Sequence, residues 1–367
     1  MGAPFYRLYG AEISYFTAKV RPALRAKAVH FVELLATPAV YREVIVPRTG
    51  LAFIPIVVTP EGETWQDTSE ILDRLEARFP EPALLPPSPL LRTVASLLEV
   101  YADEFMLLPA MHYRWSFPES EAKARADFAA TNGDPAAASR FADRMKGSLP
   151  ALGVTPASGP AIEAHLRDLL SRLEALLEQT PFLLGGRISQ ADCSLIGPLY
   201  AHLYCDAVPG RLLRATAPRV CHWIERCNHP DPEPRGDWLE DSRAAELLRP
   251  LLSLVGADAV PVVLDGVRAV ETWADGCADP HAAIPRGVGV HATSLRGTPL
   301  SRHTSPYTLW MLQRPLDTLA ALSRDSIAQV GRALAGTGLE DWLGYRPRHR
   351  LGKRGTKLAF EVEAPRR

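Results

Sequence analysis

FYRLYGAEISYFTAKVRPALRAKA, residues 5–28, is the stretch from which the rest of the chain is read. Phe5-Tyr6-Arg7-Leu8-Tyr9 is aromatic and alternates as a half-buried strand does, and Lys19 to Ala28 carry Val20, Ala23 and Leu24 at helical spacing. Strand then helix makes an opening βα unit. Downstream, the apolar run Val29 to Leu35 is followed by a short polar segment and then by Ile54-Pro55-Ile56-Val57-Val58-Thr59. The turn residues Pro60-Glu61-Gly62 lead into a short strand near Trp65, so the predicted order is β-α-β-α-β-β. A last helix closes the unit near Phe79: Asp67-Thr68-Ser69 are small polar capping residues ahead of Ile71, Leu72 and Leu75.

Residues 80–89 hold five prolines and read as a stiff connector, which places a first domain over 4–80 and a second over 90–230. The second is helical in pattern. A long helix is predicted through Leu97, Leu98, Tyr101 and Phe105, an irregular polar stretch over 118–159, and a further helix from Ala161 to Leu177. Ser189 with Asp192 three residues on has the form of a capping box, in which each side chain meets a free N–H of the first turn. Both are therefore expected to be buried structural groups. A Pro-rich breaker near residue 231 begins an extension over 231–367, with helical patterns at 240–255, 259–274 and 307–335, a Gly/His-rich loop at 276–304, and one strand around 357–362. Adjacent Trp310, Met311 and Leu312 suggest a helix packed on more than one side.

The 367 residues carry 47% hydrophobic and 23% charged side chains and a net charge of -1, ordinary values for several folded domains with no overall field to steer nucleic acid. No window reads as an uninterrupted membrane span and the N-terminus lacks a secretory pattern, so a cytoplasmic protein is expected. Arg346, Arg348, Arg350, Lys353, Arg354 and Lys357 form a local basic group, read as a solvated tail in preference to a nucleic-acid arm. Cys221, His222, Cys227 and His229, with His202 and Cys205, match no structural-zinc spacing and read as core, so no metal is expected. Residues 285–291 combine arginine and glycine without the strand–loop–helix context of a phosphate loop, and read as a packed loop. The five cysteines are an odd number and do not suggest a disulfide framework.

Taken together, Leu8 to Arg21, Ile54-Pro55, Asp67-Thr68 and the Gly185 to Asp192 capping box resemble the glutathione transferase superfamily over about 60% of the chain. The loop is similar to that of the serine-type classes, Ile54-Pro55 to the family's cis-proline strand, and Asp67-Thr68 to its Glu-Ser pair at a helix start. The resemblance implies an α/β thioredoxin-like N-terminal domain followed by an all-α domain, with the mainly helical extension added. It also implies a glutathione site. Ser14 or Tyr15, with Thr17 in the same loop, would favour thiolate over thiol; the main chain of Ile54 before Pro55 would pair with the cysteinyl unit. Asp67 would meet the α-ammonium, while Thr68 and the N–H groups after it would hold the γ-glutamyl carboxylate. Glutathione is the implied co-substrate, a small apolar electrophile the implied partner, and a homodimer the assembly the family allows. No thiol precedes Cys193, which removes the chemistries of this fold that need an active-site cysteine. Two readings stay open: a conjugating transferase, and a non-catalytic binding or scaffold protein of the same fold.

Overall fold

A computed structural model of the chain describes residues 5–361 apart from 232, 234, 235, 278 and 280–282. The expected start of the first domain at Pro4 and the expected strand end at Val362 lie outside the described residues. In chain order the elements open with β1 (Tyr6–Gly10), α1 (Tyr15–Ala26), β2 (Phe31–Leu35), α2 (Pro38–Val40), a π-helical turn (Tyr41–Ile45), α3 (Val46–Thr49), β3 (Ile56–Val58), β4 (Thr64–Gln66) and α4 (Thr68–Arg78). Next come α5 (Pro89–Val100), a second π segment (Tyr101–Phe105), α6 (Leu107–Trp115), α7 (Pro118–Asn132), α8 (Pro135–Gly147), α9 (Leu149–Leu152) and α10 (Gly159–Gln179). Then follow α11 (Gln190–Pro198), a third π segment (Leu199–Tyr204), α12 (Ala207–Thr216), α13 (Pro218–Asn228), α14 (Asp241–Leu247) and α15 (Arg249–Asp275). The chain closes with β5 (Val290–Leu295), β6 (Thr298–His303), α16 (Pro306–Ala320), α17 (Arg324–Leu334), α18 (Glu340–Gly344), β7 (Leu351–Arg354) and β8 (Lys357–Phe360).

The chain divides into two compact units, one of residues 1–87, 109–148 and 170–240, the other of 88–108, 149–169 and 241–367. In the first, a four-stranded sheet has the order β2-β1-β3-β4. β1 runs parallel to β2 because α1 supplies the crossover, and antiparallel to β3, which turns back through Thr59 to Glu63 into β4. This is the thioredoxin-like α/β domain that the resemblance implies. α1 buries Ala18, Val20, Ala23 and Leu24. On the sheet, Ala36, Ile45, Ile56 and Val58 form a core cluster covered by Tyr9, Val40, Tyr41, Val44 and Ile54.

The helical part of this unit is fixed by α11, whose start carries the expected capping box. Ser189 accepts from the Asp192 amide, and the fully buried Asp192 carboxylate accepts from the Ser189 amide at 2.9 Å, the Leu183 amide at 2.9 Å and the Trp223 indole at 2.7 Å. One carboxylate thus ties the α11 start, the preceding loop and α13. The polar stretch expected to be irregular is instead the α7–α8 helical hairpin. Its buried face is built of small residues, Ala124, Ala138 and Ala142, with Phe128 edge-on to Phe141 at 5.0 Å, and ion pairs lie alongside: Glu121 meets Arg125 at 2.9 Å and Lys146 at 2.7 Å, and Arg125 meets Asp143 at 2.8 Å.

In the second unit, two helices expected at 240–255 and 259–274 become the short α14 and the 27-residue α15. Gly256 lies inside this helix, where the missing side chain lets the Thr337 carbonyl approach to 1.8 Å from where a Cβ would stand. By length and composition α15 qualifies as a membrane span, contrary to the sequence reading, yet 72% of its most apolar window is buried inside the protein. It is a core helix. The loop expected over 276–304 contains the β5–β6 hairpin, turned at Arg296 (φ 52°) and Gly297 (φ 78°), both left-handed as the tight two-residue turn requires. The single expected C-terminal strand is a second hairpin, β7–β8. Trp310, Met311 and Leu312 are all buried, so α16 is packed on several sides as expected. The basic segment is paired: Arg348 with Asp275 at 2.8 Å, and Arg350 with Asp317 at 2.6 Å and Glu361 at 2.9 Å.

This unit also contains a buried polar chain. A carboxylate only accepts, so His165 Nδ1 carries the proton toward Asp258 (2.8 Å), and Nε2 accepts from the Tyr101 hydroxyl (2.7 Å). Arg296 completes it, bridging Asp258 at 2.7 Å and Asp168 at 2.7 Å. Burial pushes the Tyr101 hydroxyl well above its ordinary pKa and, outweighing Asp258, pulls the His165 imidazole down.

Two stability predictions follow from these buried groups. Asp192→Ala strands four buried donors, the Leu183 and Ser189 amides, the Ser189 hydroxyl and the Trp223 indole, and at 1–3 kcal/mol for each unmet group the loss should reach about 3 kcal/mol or more, read as a lower melting temperature; an unchanged value would contradict the role given to this carboxylate. Tyr101→Phe removes a single hydroxyl and orphans His165 Nε2, so the urea midpoint should fall by the equivalent of about 1–3 kcal/mol. An unmoved midpoint would mean that the chain through His165 holds nothing.

Candidate functional site

One transverse row of the sheet places the site. Tyr9 of β1 lies opposite Ile56 of β3, which lies opposite Gln66 of β4. Just past this row β1 opens into the Gly10 to Ser14 loop, β3 is entered through Ile54-Pro55, and β4 leaves into Asp67-Thr68. The three sequence-predicted segments therefore meet at one edge of the sheet. The Ile54–Pro55 bond is cis, and Ile54 lies ahead of the ladder that starts at Ile56.

Local sequence explains the loop. Gly10 is required because a Cβ there would stand 2.4 Å from the Thr17 side chain. Thr17 is fully buried, and its hydroxyl accepts the Ala11 amide at 3.4 Å, folding the loop onto α1. Ser14 is the N-cap of α1; its hydroxyl accepts the Thr17 amide at 3.3 Å and remains half-buried. Tyr15 is 5% exposed, with its ring 4.9 Å from Phe16 and edge-on to His202 at 5.6 Å. Among the three hydroxyls of the candidate loop, Ser14 has the most open position.

At the neighbouring helix start, α4 begins at Thr68, as the resemblance implies. Asp67 is its N-cap at φ 79°, a conformation that costs a residue with a Cβ roughly 1–3 kcal/mol and is concentrated at functional sites. Its Oδ1 accepts from the Ser69 amide at 3.0 Å and the Glu70 amide at 3.4 Å. The N–H groups after Thr68, expected to hold an anion, are thus capped by the protein itself. Behind this turn the buried Lys19 donates to Ser69 Oγ at 3.2 Å, adding positive charge beneath the helix start.

Sequence reasoning missed the groups that brace the loop from the helices. Glu12 accepts from the Tyr200 hydroxyl and pairs with Arg21 at 3.4 Å. The buried Arg114 of α6 grips Asp206 with Nε at 2.7 Å and Nη2 at 3.2 Å, and donates to the carbonyl of Ala201 at 2.6 Å. Its Nη1 reaches the Ile13 carbonyl at 3.2 Å and His202 Nε2 at 3.0 Å. Burial first, then the Arg114 charge, holds the His202 pKa well below its ordinary value. Pro198 inside α11 gives the only local signal: a missing N–H disrupts the regular ladder, and the π segment that follows presents Tyr200 and His202. Among the described residues no group of three or more metal-ligating side chains is present.

Residues 8–83 match the family described as glutathione S-transferase, N-terminal domain, and residues 136–226 that described as glutathione S-transferase, C-terminal domain. No curated protein matches the chain. Among solved structures, a glutathione S-transferase from Methylobacterium radiotolerans in complex with glutathione sulfonate is 22% identical, over 62% of this chain and 92% of that one, with a TM-score of 0.40. A beta-etherase from Sphingobium sp. strain SYK-6 is 18% identical over 62% and 96%, with a TM-score of 0.45. A Tau class glutathione S-transferase from mango is 18% identical over 68% and 99%, with a TM-score of 0.41. Over residues 8–83 and 136–226 the chain thus carries the N- and C-terminal domains of a glutathione S-transferase-like protein.

Proposed function

We propose that the sheet edge binds glutathione and that the protein conjugates its sulfur to a small apolar electrophile. The observation that carries this reading is the Tyr9–Ile56–Gln66 row, which brings a hydroxyl at one helix start, an unladdered main chain at Ile54 and a second helix start to the same edge. In this reading Ser14, rather than Tyr15 or Thr17, donates to the sulfur. A serine hydroxyl that accepts an amide proton still has its own O–H to give, so capping α1 and stabilising thiolate are compatible. The Ile54 main chain pairs with the cysteinyl unit beside Pro55. Thr68, through its own N–H and hydroxyl, takes the γ-glutamyl carboxylate at the positive end of α4, and the Asp67 carboxylate faces the ammonium. The setting proposed with it is the cytoplasm, a reducing compartment that suits five unpaired cysteines, and a homodimer is the assembly proposed with the family.

A second reading has its own observation. Ser14 and Asp67 both already serve as helix caps, and a non-catalytic binding or scaffold protein would keep them for that purpose alone. Titration calorimetry with glutathione separates the two. The wild-type chain should bind, and Asp67→Asn, which keeps a capping oxygen but removes the charge, should weaken binding about fivefold or more while the melting temperature stays within a degree or two. Absence of binding to the wild-type chain would favour the scaffold reading.

A further inference from the structure

The loop that presents Ser14 is held from two sides. From its own domain, the Ala11 amide meets Thr17 and the Ser14 amide donates to the Ala11 carbonyl at 3.1 Å. From the helical part of the same unit, Arg114 reaches the carbonyl of Ile13, the residue immediately before Ser14. That contact is aimed by its surroundings. The Asp206 carboxylate takes Nε and Nη2, the Ala201 carbonyl takes Nη2 again, and His202 accepts from Nη1, leaving the guanidinium plane one orientation. Only a neutral imidazole can accept there, and burial beside Arg114 keeps His202 neutral. A lysine ammonium could replace the charge but not the rigid fork that spans a carboxylate and a carbonyl together.

We propose that Arg114 is a positioning residue for Ser14: anchored on Asp206 and aligned by His202, it fixes the Ile13 carbonyl and thereby the place where the Ser14 hydroxyl meets a bound thiol. This role rests on the reading of Ser14 given above. A purely structural arginine would stabilise the fold without setting the chemistry of the loop. The two are separable, because the loop amides and the ionisation of bound glutathione each report the position of Ser14, whereas global stability does not.

The test uses the full chain and its Arg114→Lys and Arg114→Gln variants. Hydrogen exchange at the Ala11 and Ser14 amides should rise about tenfold or more in both, while α4 and α11 keep their protection. The pH profile of kcat/KM for conjugation of glutathione should move to higher pH by about one unit, a tenfold loss of rate below the wild-type midpoint, with KM for glutathione changed by less than about threefold. Should Arg114→Gln fail to fold, Asp206→Asn releases the anchor with little change of shape and should shift loop exchange and pH profile in the same direction. Unchanged loop exchange would overturn the proposal, as would even loosening of the whole unit with an unmoved pH midpoint. A wild-type chain that binds no glutathione would overturn it through the reading of Ser14, and that failure is visible before any variant is made.

Discussion

Everything at the candidate site depends on hydrogen-bonded register in a small sheet. Tyr9, Ile56 and Gln66 lie side by side, and a slip of one residue in either antiparallel pair would turn Ile56 away from the core cluster it forms with Ala36, Ile45 and Val58. The apolar face therefore enforces the register. The register in turn decides that the β1 exit, the β3 entry and the β4 exit reach one edge, where both α1 and α4 begin. The packing that fixes the register thereby places two helix starts and the Ile54 main chain at one edge.

In the proposed reading the residues at that edge serve two purposes. Ser14 and Asp67 satisfy amides that their helices would otherwise leave free, each interaction being worth about 1 kcal/mol. The same positions are where a thiol and an ammonium would arrive. Loss of either side chain would thus affect stability and ligand together, and charge-removing or shape-keeping substitutions are needed to tell them apart. Asp67 does its capping at a φ of 79°, a cost that capping at an ordinary dihedral would not incur.

The strands and helix starts of the first domain were legible because their signals are local: alternation in β1, proline beside a β-branched run at Ile54 to Val58, and Ser or Asp ahead of apolar helical spacing. The Ser189–Asp192 box was readable for the same reason, although its reach to Leu183 and Trp223 was not, being a matter of distant chain meeting in space. The α7–α8 hairpin was hidden because its buried face is made largely of alanine, at Ala124, Ala138 and Ala142, which marks an apolar stripe only weakly. The β5–β6 hairpin was hidden by its turn, where Arg296 takes a left-handed conformation usually given to asparagine or glycine while its side chain is held by Asp258 and Asp168. Arg114 had no signal at all, because an arginine in a helix is ordinary until Asp206, nearly a hundred residues on, closes around it.

The most direct measurement is an ultraviolet titration of the glutathione thiolate bound to the full chain, carried out for the wild type and for Ser14→Ala. If the sheet edge presents Ser14 to the sulfur, bound glutathione should ionise at least about one unit below the value near 8.5 of a free cysteine thiol, and Ser14→Ala should restore the free value without abolishing binding. Bound glutathione that ionises like free thiol, or a depressed value that survives Ser14→Ala, would contradict the account.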